Sequence, residues 1–180
     1  MNKFKLIAGP CAIEDQDTGF QIAERVKSIC EELDISYIFK ASYKKANRSK
    51  LDSFTGIGND EALSIIKQIG DKFNVDTITD IHESYEAPTV AQYVNHIQIP
   101  AFLCRQTDLL IAAGKTGLPV NIKKGQFMSH DSMQFAVEKI KSTGNEKAWI
   151  CERGNSFGYN DLIVDVTSIF KLKKSAMICK

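Results

Sequence analysis

Short apolar runs alternate with helix-length amphipathic stretches along this whole chain, and that alternation restricts the fold more than any other feature. Residues 4–8 read as a buried strand closed by Gly9-Pro10-Cys11. Over residues 17–33, Phe20, Ile22, Ala23, Val26, Ile29, Cys30 and Leu33 recur at close to helical spacing. The pattern then repeats: strand 37–41, helix 61–73, strand 75–80, a helix from near Ser84 carrying Ala87, Val90, Ala91 and Val94, and strand 96–99. Next come a helix over 107–117 with Thr107 as its N-cap, strand 119–123, a helix over 132–143 ended by Gly144, strand 147–151, and a helix from Asp161 to about Lys173. Residues 176–179 could begin a seventh strand. Alternation of this kind makes a parallel sheet flanked by helices. An open doubly wound sheet and a (β/α)8 barrel both fit. No G-x-G-x-x-G follows the first strand, so nothing supports the dinucleotide-binding version. The 180 residues suffice for one domain with a substantial core, and no linker or low-complexity segment divides them.

The segments just past each strand carry the chemistry. They are Gly9-Pro-Cys-Ala-Ile-Glu14, Lys40-Ala-Ser-Tyr-Lys-Lys-Ala-Asn-Arg-Ser49, Asp80-Ile-His-Glu83, Pro100-Ala-Phe-Leu-Cys-Arg-Gln106, Lys123-Lys-Gly-Gln-Phe127 and Glu152-Arg-Gly154. In a parallel barrel these carboxyl ends share one face, where active sites are built. Four cations (Lys40, Lys44, Lys45 and Arg48) fall within nine residues of the second segment, among Ser42, Asn47 and Ser49. Taken alone, that is either a solvated basic loop or a phosphate or carboxylate site. Lys40, Lys45, Arg48, Arg105, Lys123 and Arg153 would all reach the same mouth. Any one of them, such as Arg105, fits a structural ion pair equally well. Net charge is only +1, so such convergence implies an anionic ligand held by local clustering and no general affinity for nucleic acid.

Other groups stay open on the sequence. Cys11 reads as a metal ligand, a nucleophile or a small buried residue. His82 is an acid/base group or a hydrogen-bonded structural histidine, and His96, inside an apolar strand, is structural. Five widely spaced cysteines without a CxxC pair argue for a reducing compartment, by default the cytoplasm. No stretch has the length to cross a membrane, and the amino terminus has too short an apolar run for a signal peptide.

The sequence resembles the 3-deoxy-D-manno-octulosonate 8-phosphate (KDO 8-phosphate) synthases. The matching runs are Ile7-Ala-Gly-Pro-Cys-Ala-Ile-Glu14, Lys40 to Ser49, Thr79-Asp-Ile-His-Glu83, Gln98-Ile-Pro-Ala-Phe-Leu-Cys-Arg-Gln-Thr-Asp-Leu109, Asn121-Ile-Lys-Lys-Gly-Gln-Phe127 and Glu152-Arg-Gly-Asn-Ser-Phe-Gly-Tyr-Asn160. The resemblance implies a TIM-type barrel and a transferase of lipopolysaccharide biosynthesis. That enzyme condenses phosphoenolpyruvate with D-arabinose 5-phosphate and water, giving the octulosonate phosphate and inorganic phosphate. By motif, it implies Lys40, Ser42 and Lys45 at the phosphoenolpyruvate carboxylate, and Lys123 and Arg153 as the clamp on its phosphate, assisted by backbone N–H groups of Ala101 and Phe102. Asn47, Arg48 and Ser49 would bind arabinose 5-phosphate, and Arg105 would reach a sugar phosphate in a neighbouring subunit of a homotetramer. Cys11 matches the ligand of the family's metal-dependent branch, which implies a divalent ion such as Zn, Fe or Mn.

Some positions depart from the family pattern. Lys44 stands where Asp is usual, Thr55 where Arg is usual, and Ser129-His130-Asp131 replaces Pro-Trp-Asp. The family's later segments, Asp-Ala-Thr-His and Glu-Val-His-Pro and a further aspartate, which supply the remaining metal ligands, are not in this sequence. The expectation is therefore one incomplete barrel domain over residues 1–180, with about six of eight βα units: a truncated product or fragment, poorly stable, metal-poor and inactive alone. Three rivals remain. One is the sister 3-deoxy-D-arabino-heptulosonate 7-phosphate synthase, whose loop reads Lys-Pro-Arg-Thr-Ser where this chain has Ala46-Asn47-Arg48-Ser49. The others are a Schiff-base aldolase using Lys123 and a catalytically inactive remnant that only binds anions or a partner chain.

Overall fold

The structure is a computed structural model and describes residues 4–174, so the strand expected over 176–179 lies outside the described residues. The chain divides into two compact units, one running to Asp80 and taking in Gln92–His96, the other made of Ile81–Ala91 and the chain from Ile97 onward.

In the first unit the elements are β1 (Lys5–Ala8), α1 (Gln16–Glu32), β2 (Ser36–Lys40), α2 (Asn59–Phe73) and β3 (Asp76–Asp80). The three strands are parallel and lie in chain order. β1 and β2 carry near-continuous apolar runs, whereas β3 (Asp-Thr-Ile-Thr-Asp) sets one isoleucine between two buried threonines. Ile38, Phe39 and Ile78 are buried, as are Ala23 of α1 and Ala62, Leu63, Ile65, Ile66 and Ile69 of α2. Asp15 caps α1 by accepting the Thr18 N–H at 2.7 Å. Asp60 and Glu61 open α2 and Lys72 stands in its last turn, the charge order its dipole favours. Asn74 stops α2 in the left-handed conformation at φ 49°.

The second unit starts with a 3-10 turn (Ser84–Glu86) and α3 (Ala87–Val90), and holds β4 (His96–Ile99) beyond its first residue. It continues through α4 (Thr107–Lys115), β5 (Val120–Lys123), α5 (Gln134–Lys141), β6 (Ala148–Cys151), β7 (Asn155–Phe157), β8 (Asp161–Ile163) and α6 (Val166–Lys174). β4, β5 and β6 are parallel neighbours in that order. Ile97, Ile99, Val120, Ile122 and Ile150 are buried along with Leu109, Leu110, Ala113, Ala136, Val137 and Ile140 of the helices. The α/β class therefore stands, as the βα succession of a partial TIM-type fold. Among the described residues no helix is long and apolar enough to cross a membrane.

Three local expectations need correction. The helix expected from Asp161 begins at Val166, because residues 155–163 form an antiparallel hairpin of β7 and β8 instead. Its pairing runs from Asn155 against Ile163 to Phe157 against Asp161, and the turn between uses Gly158 at φ 61°. The N-cap of α4 is Gln106, not Thr107, and no side-chain bond caps it. The helix after Ser84 is shorter than its apolar spacing suggests. After Val90 the chain turns back to β3, where Asn95 accepts the Thr77 N–H at 2.9 Å and donates its own N–H to the Thr77 carbonyl at 3.1 Å.

Candidate active site

Alternation along a strand puts residues two apart on one face. Lys40, at the end of β2, pairs in register with Ile78, so it shares its face with Asp80 two residues further along β3. Ser42, two residues past Lys40, joins them. Lys40 Nζ donates to Asp80 Oδ1 at 2.8 Å, and the Ser42 hydroxyl donates to the same oxygen. Lys45 Nζ donates to Ser42 Oγ at 2.9 Å. Lys40, Ser42 and Lys45, expected together from the sequence, thus do come together, and the group organising them is Asp80. Ser42 is fully buried, whereas the Lys40 and Asp80 side chains keep 18% and 10% of their surface. Lys40 bonds the Asp80 carboxylate directly and Lys45 reaches it through Ser42, so two ammonium groups gather around one carboxylate at a partly open strand end. Such a site can accept a carboxylate or phosphate through charge-assisted hydrogen bonds.

The segment after β1 supports this cluster. Ala12 forms a parallel bridge to Ser42, with the Ile13 N–H on the Ser42 carbonyl at 3.1 Å and the Ser42 N–H on the Cys11 carbonyl at 3.4 Å. To get there the chain crosses Lys40 at Gly9, where a Cβ would fall 2.1 Å from the Lys40 carbonyl oxygen. Only glycine fits that approach. Cys11 is exposed and is placed by this bridge beside the cluster's backbone. Among the described residues no three His, Cys, Asp or Glu side chains stand together as a metal-ligand set. Cys11 is thus a single donor among the described residues, which do not complete a metal site.

Asn47, Arg48 and Ser49 are all exposed, on a loop that Lys45 N–H fastens to the Thr55 carbonyl at 2.7 Å. Arg48 Nε donates to the Phe54 carbonyl at 3.0 Å, which steadies the guanidinium from within the same loop.

In the second unit Lys123 ends β5 in register with Cys151, and Arg153 lies two residues beyond Cys151. Both side chains are partly exposed at neighbouring strand ends. Gln98 and Asn121, earlier on the same face of β4 and β5, are buried and bonded to each other at 2.6 Å. Ala101 and Phe102 open a single 3-10 turn (Ala101–Leu103) after β4, so their N–H groups take no bond from inside it. Arg105 follows, exposed, with its carbonyl accepting from Lys139 Nζ at 3.1 Å.

Two groups escaped the sequence reading. Asp80 was visible as a polar strand end but not as the counter-ion of Lys40. Lys124 is the other: it is fully buried, while its neighbour Lys123 is not. Strand alternation holds the signal, since adjacent lysines at a strand end must face opposite ways. The two histidines discussed above also find places. The His82 backbone N–H donates to Glu86 at 2.7 Å, and His96 Nε2 lies 3.2 Å from Asp76.

Fold and site define a (β/α)-repeat protein of the TIM type with cationic strand ends. A model of the DAHP synthetase I family matches residues 1–179, and the chain belongs to that family. It is 48% identical over 176 residues, 98% of its length, to the 2-dehydro-3-deoxyphosphooctonate aldolase of Koribacter versatilis, of which the match covers 63%. It is 49% identical over 172 residues to the protein of that name from Fusobacterium nucleatum, covering 96% of this chain and 62% of the relative. A Cyanothece protein of the same name is 48% identical over 170 residues, 94% of this chain and 62% of its own. The chain therefore spans a little over three-fifths of the length of these relatives. The resemblance to the octulosonate enzymes holds along its whole length.

Proposed function

We propose that this chain carries the substrate-handling strand ends of a KDO 8-phosphate synthase, another name for 2-dehydro-3-deoxyphosphooctonate aldolase. The observation that carries the reading is the Lys40–Ser42–Lys45 cluster on Asp80, two ammonium groups gathered at a partly open strand end in a chain whose relatives bear that name. In the reaction, C3 of phosphoenolpyruvate forms a bond to the aldehyde carbon of D-arabinose 5-phosphate, whose oxygen becomes a hydroxyl. Water adds at C2, and the C2–O bond breaks to release phosphate and leave a ketone. Lys40 and Lys45 hold the carboxylate of phosphoenolpyruvate, with Ser42 fixing their heads. Lys123 and Arg153, with the Ala101 and Phe102 N–H groups, take its phosphate and stabilise the charge that builds as that group departs. Asn47, Arg48 and Ser49 select the pentose phosphate.

The same proposal includes Cys11 as a thiolate donor to a divalent metal, a cytoplasmic location, and a homotetramer in which Arg105 serves a neighbouring subunit's sugar phosphate. The mass of the product tests it. Incubation with phosphoenolpyruvate and each aldose phosphate should give octulosonate phosphate from arabinose 5-phosphate and no heptulosonate from erythrose 4-phosphate. A heptulosonate product would replace this reading with the sister activity. Calorimetry with phosphoenolpyruvate, run beside that assay, separates binding from turnover. Absence of phosphoenolpyruvate binding would overturn the proposal.

A further inference from the structure

Lys124 has no surface exposure, yet it carries an ammonium group that cannot be buried without partners. Its Nζ meets Asn155 Oδ1 at 2.6 Å, the Gly154 carbonyl at 3.1 Å, the Met128 carbonyl at 3.3 Å and the Gly125 carbonyl at 3.4 Å. The Glu152 carboxylate stands 3.4 Å away, its side chain only 6% exposed. These acceptors come from two places: the turn after β5 and the turn after β6. The ammonium thus straps one strand-end turn to the other, and the Lys124 N–H adds a bond to the Cys151 carbonyl at 2.9 Å. Glu152 tightens the second turn by accepting the Arg153 N–H at 2.9 Å and the Gly154 N–H at 2.6 Å, and it reaches α6 through the Ser168 hydroxyl at 3.0 Å. Gly154, at φ 87°, gives that turn its shape.

We propose that Lys124 is the positioning residue of the phosphoenolpyruvate phosphate clamp. The inference rests on the proposed function, in which Lys123 and Arg153 are that clamp. Lys123 is the residue before Lys124, and Arg153 lies between Glu152 and Gly154, both of which the strap holds. Two adjacent lysines at the end of β5 therefore divide the work. Lys123 presents its charge toward the ligand, and Lys124 uses its own to fix the separation of the two clamp side chains without touching the substrate. A two-pronged anion site depends on such separation, because charge-assisted hydrogen bonds weaken away from their preferred distance and angle.

The test compares two ligands held by different residues. Phosphoenolpyruvate and D-arabinose 5-phosphate are each titrated into the wild-type chain, Lys124→Met and Asn155→Ala, with far-UV circular dichroism confirming the fold. Asn155→Ala removes only the shortest of the bonds and guards against a Lys124→Met chain that fails to fold. Lys124→Met should weaken phosphoenolpyruvate about 10- to 100-fold, the loss of one charge-assisted bond, and Asn155→Ala about 3- to 10-fold. Both should leave arabinose 5-phosphate, bound by the Asn47–Arg48–Ser49 loop, within about twofold of wild type. Wild-type phosphoenolpyruvate affinity in a folded variant, or a parallel loss of both ligands, would overturn the positioning role. A wild-type chain that binds neither ligand would overturn the proposed function instead.

Discussion

Two lysine–carboxylate pairs in this protein have the same chemistry and opposite uses. In the first unit, Lys40 and Asp80 meet at 2.8 Å with part of each side chain still exposed, and Lys45 joins them through Ser42. Two ammonium groups stand near one carboxylate there. In the second unit, Lys124 and Glu152 lie 3.4 Å apart, almost sealed, with the remaining lysine donors spent on carbonyls and an amide oxygen. Charge balances there. What separates the proposed ligand site from the strap is thus neither residue type nor position at a strand end. It is the exposure left to the first pair and the second lysine gathered beside it.

The largest effect should come from breaking the sealed pair. Lys124→Met leaves Glu152 buried beside empty acceptors and should destabilise the chain by about 3–5 kcal/mol, read from urea unfolding. A loss under about 1 kcal/mol would mean that the strap is not the closed pair described. Gly9→Ala attacks the first region through its backbone. With a Cβ only 2.1 Å from the Lys40 carbonyl oxygen, it should cost about 1–3 kcal/mol and weaken phosphoenolpyruvate binding with it. A neutral result would show that the β1 segment can move aside. Lys45→Met should spare stability, because the residue is only half-buried and bonds a neutral hydroxyl, but weaken phosphoenolpyruvate by about tenfold, or about 1.4 kcal/mol.

The smallest effect is one of pH. Burial pushes the Glu152 carboxyl up, but the Gly154 N–H, the Ser168 hydroxyl and the Lys124 ammonium together outweigh it and hold the group below its ordinary value of 4.5. A depressed carboxyl stabilises the fold fully above its unfolded-state pKa. That contribution is lost as pH falls below about 4.5 and through the lower folded-state value. Melting curves should therefore show acid destabilisation in that window, smaller in Glu152→Gln. An identical acid profile in both proteins would remove Glu152 from the account.

Much of this was legible in the sequence because the strands and long helices obey simple periods. Tyr37-Ile38-Phe39 is a short apolar run and Val120-Asn-Ile-Lys123 alternates, both bounded by turn residues and of strand length, and α2 repeats its isoleucines at helical spacing. The hairpin of β7 and β8 was not legible. Leu162, Ile163 and Val164 suit a helix or a strand, and only pairing with Asn155–Phe157 decides between them. The short α3 was hidden for a related reason, since Asn95 binds Thr77 across the fold and not along the chain. In the cationic cluster, the sequence shows which residues lie close in the chain. It does not show that Asp80 would take the centre of Lys40 and Ser42, because that contact crosses from β2 to β3.

The proposed role of the Lys40 cluster as an anion site depends on the Lys40 ammonium itself. Calorimetric titration of phosphoenolpyruvate into the wild-type chain and Lys40→Met tests it most directly. Binding to the wild type should be saturable and weakened about 10- to 100-fold by the substitution with the fold intact. Equal affinity in the two proteins would contradict it.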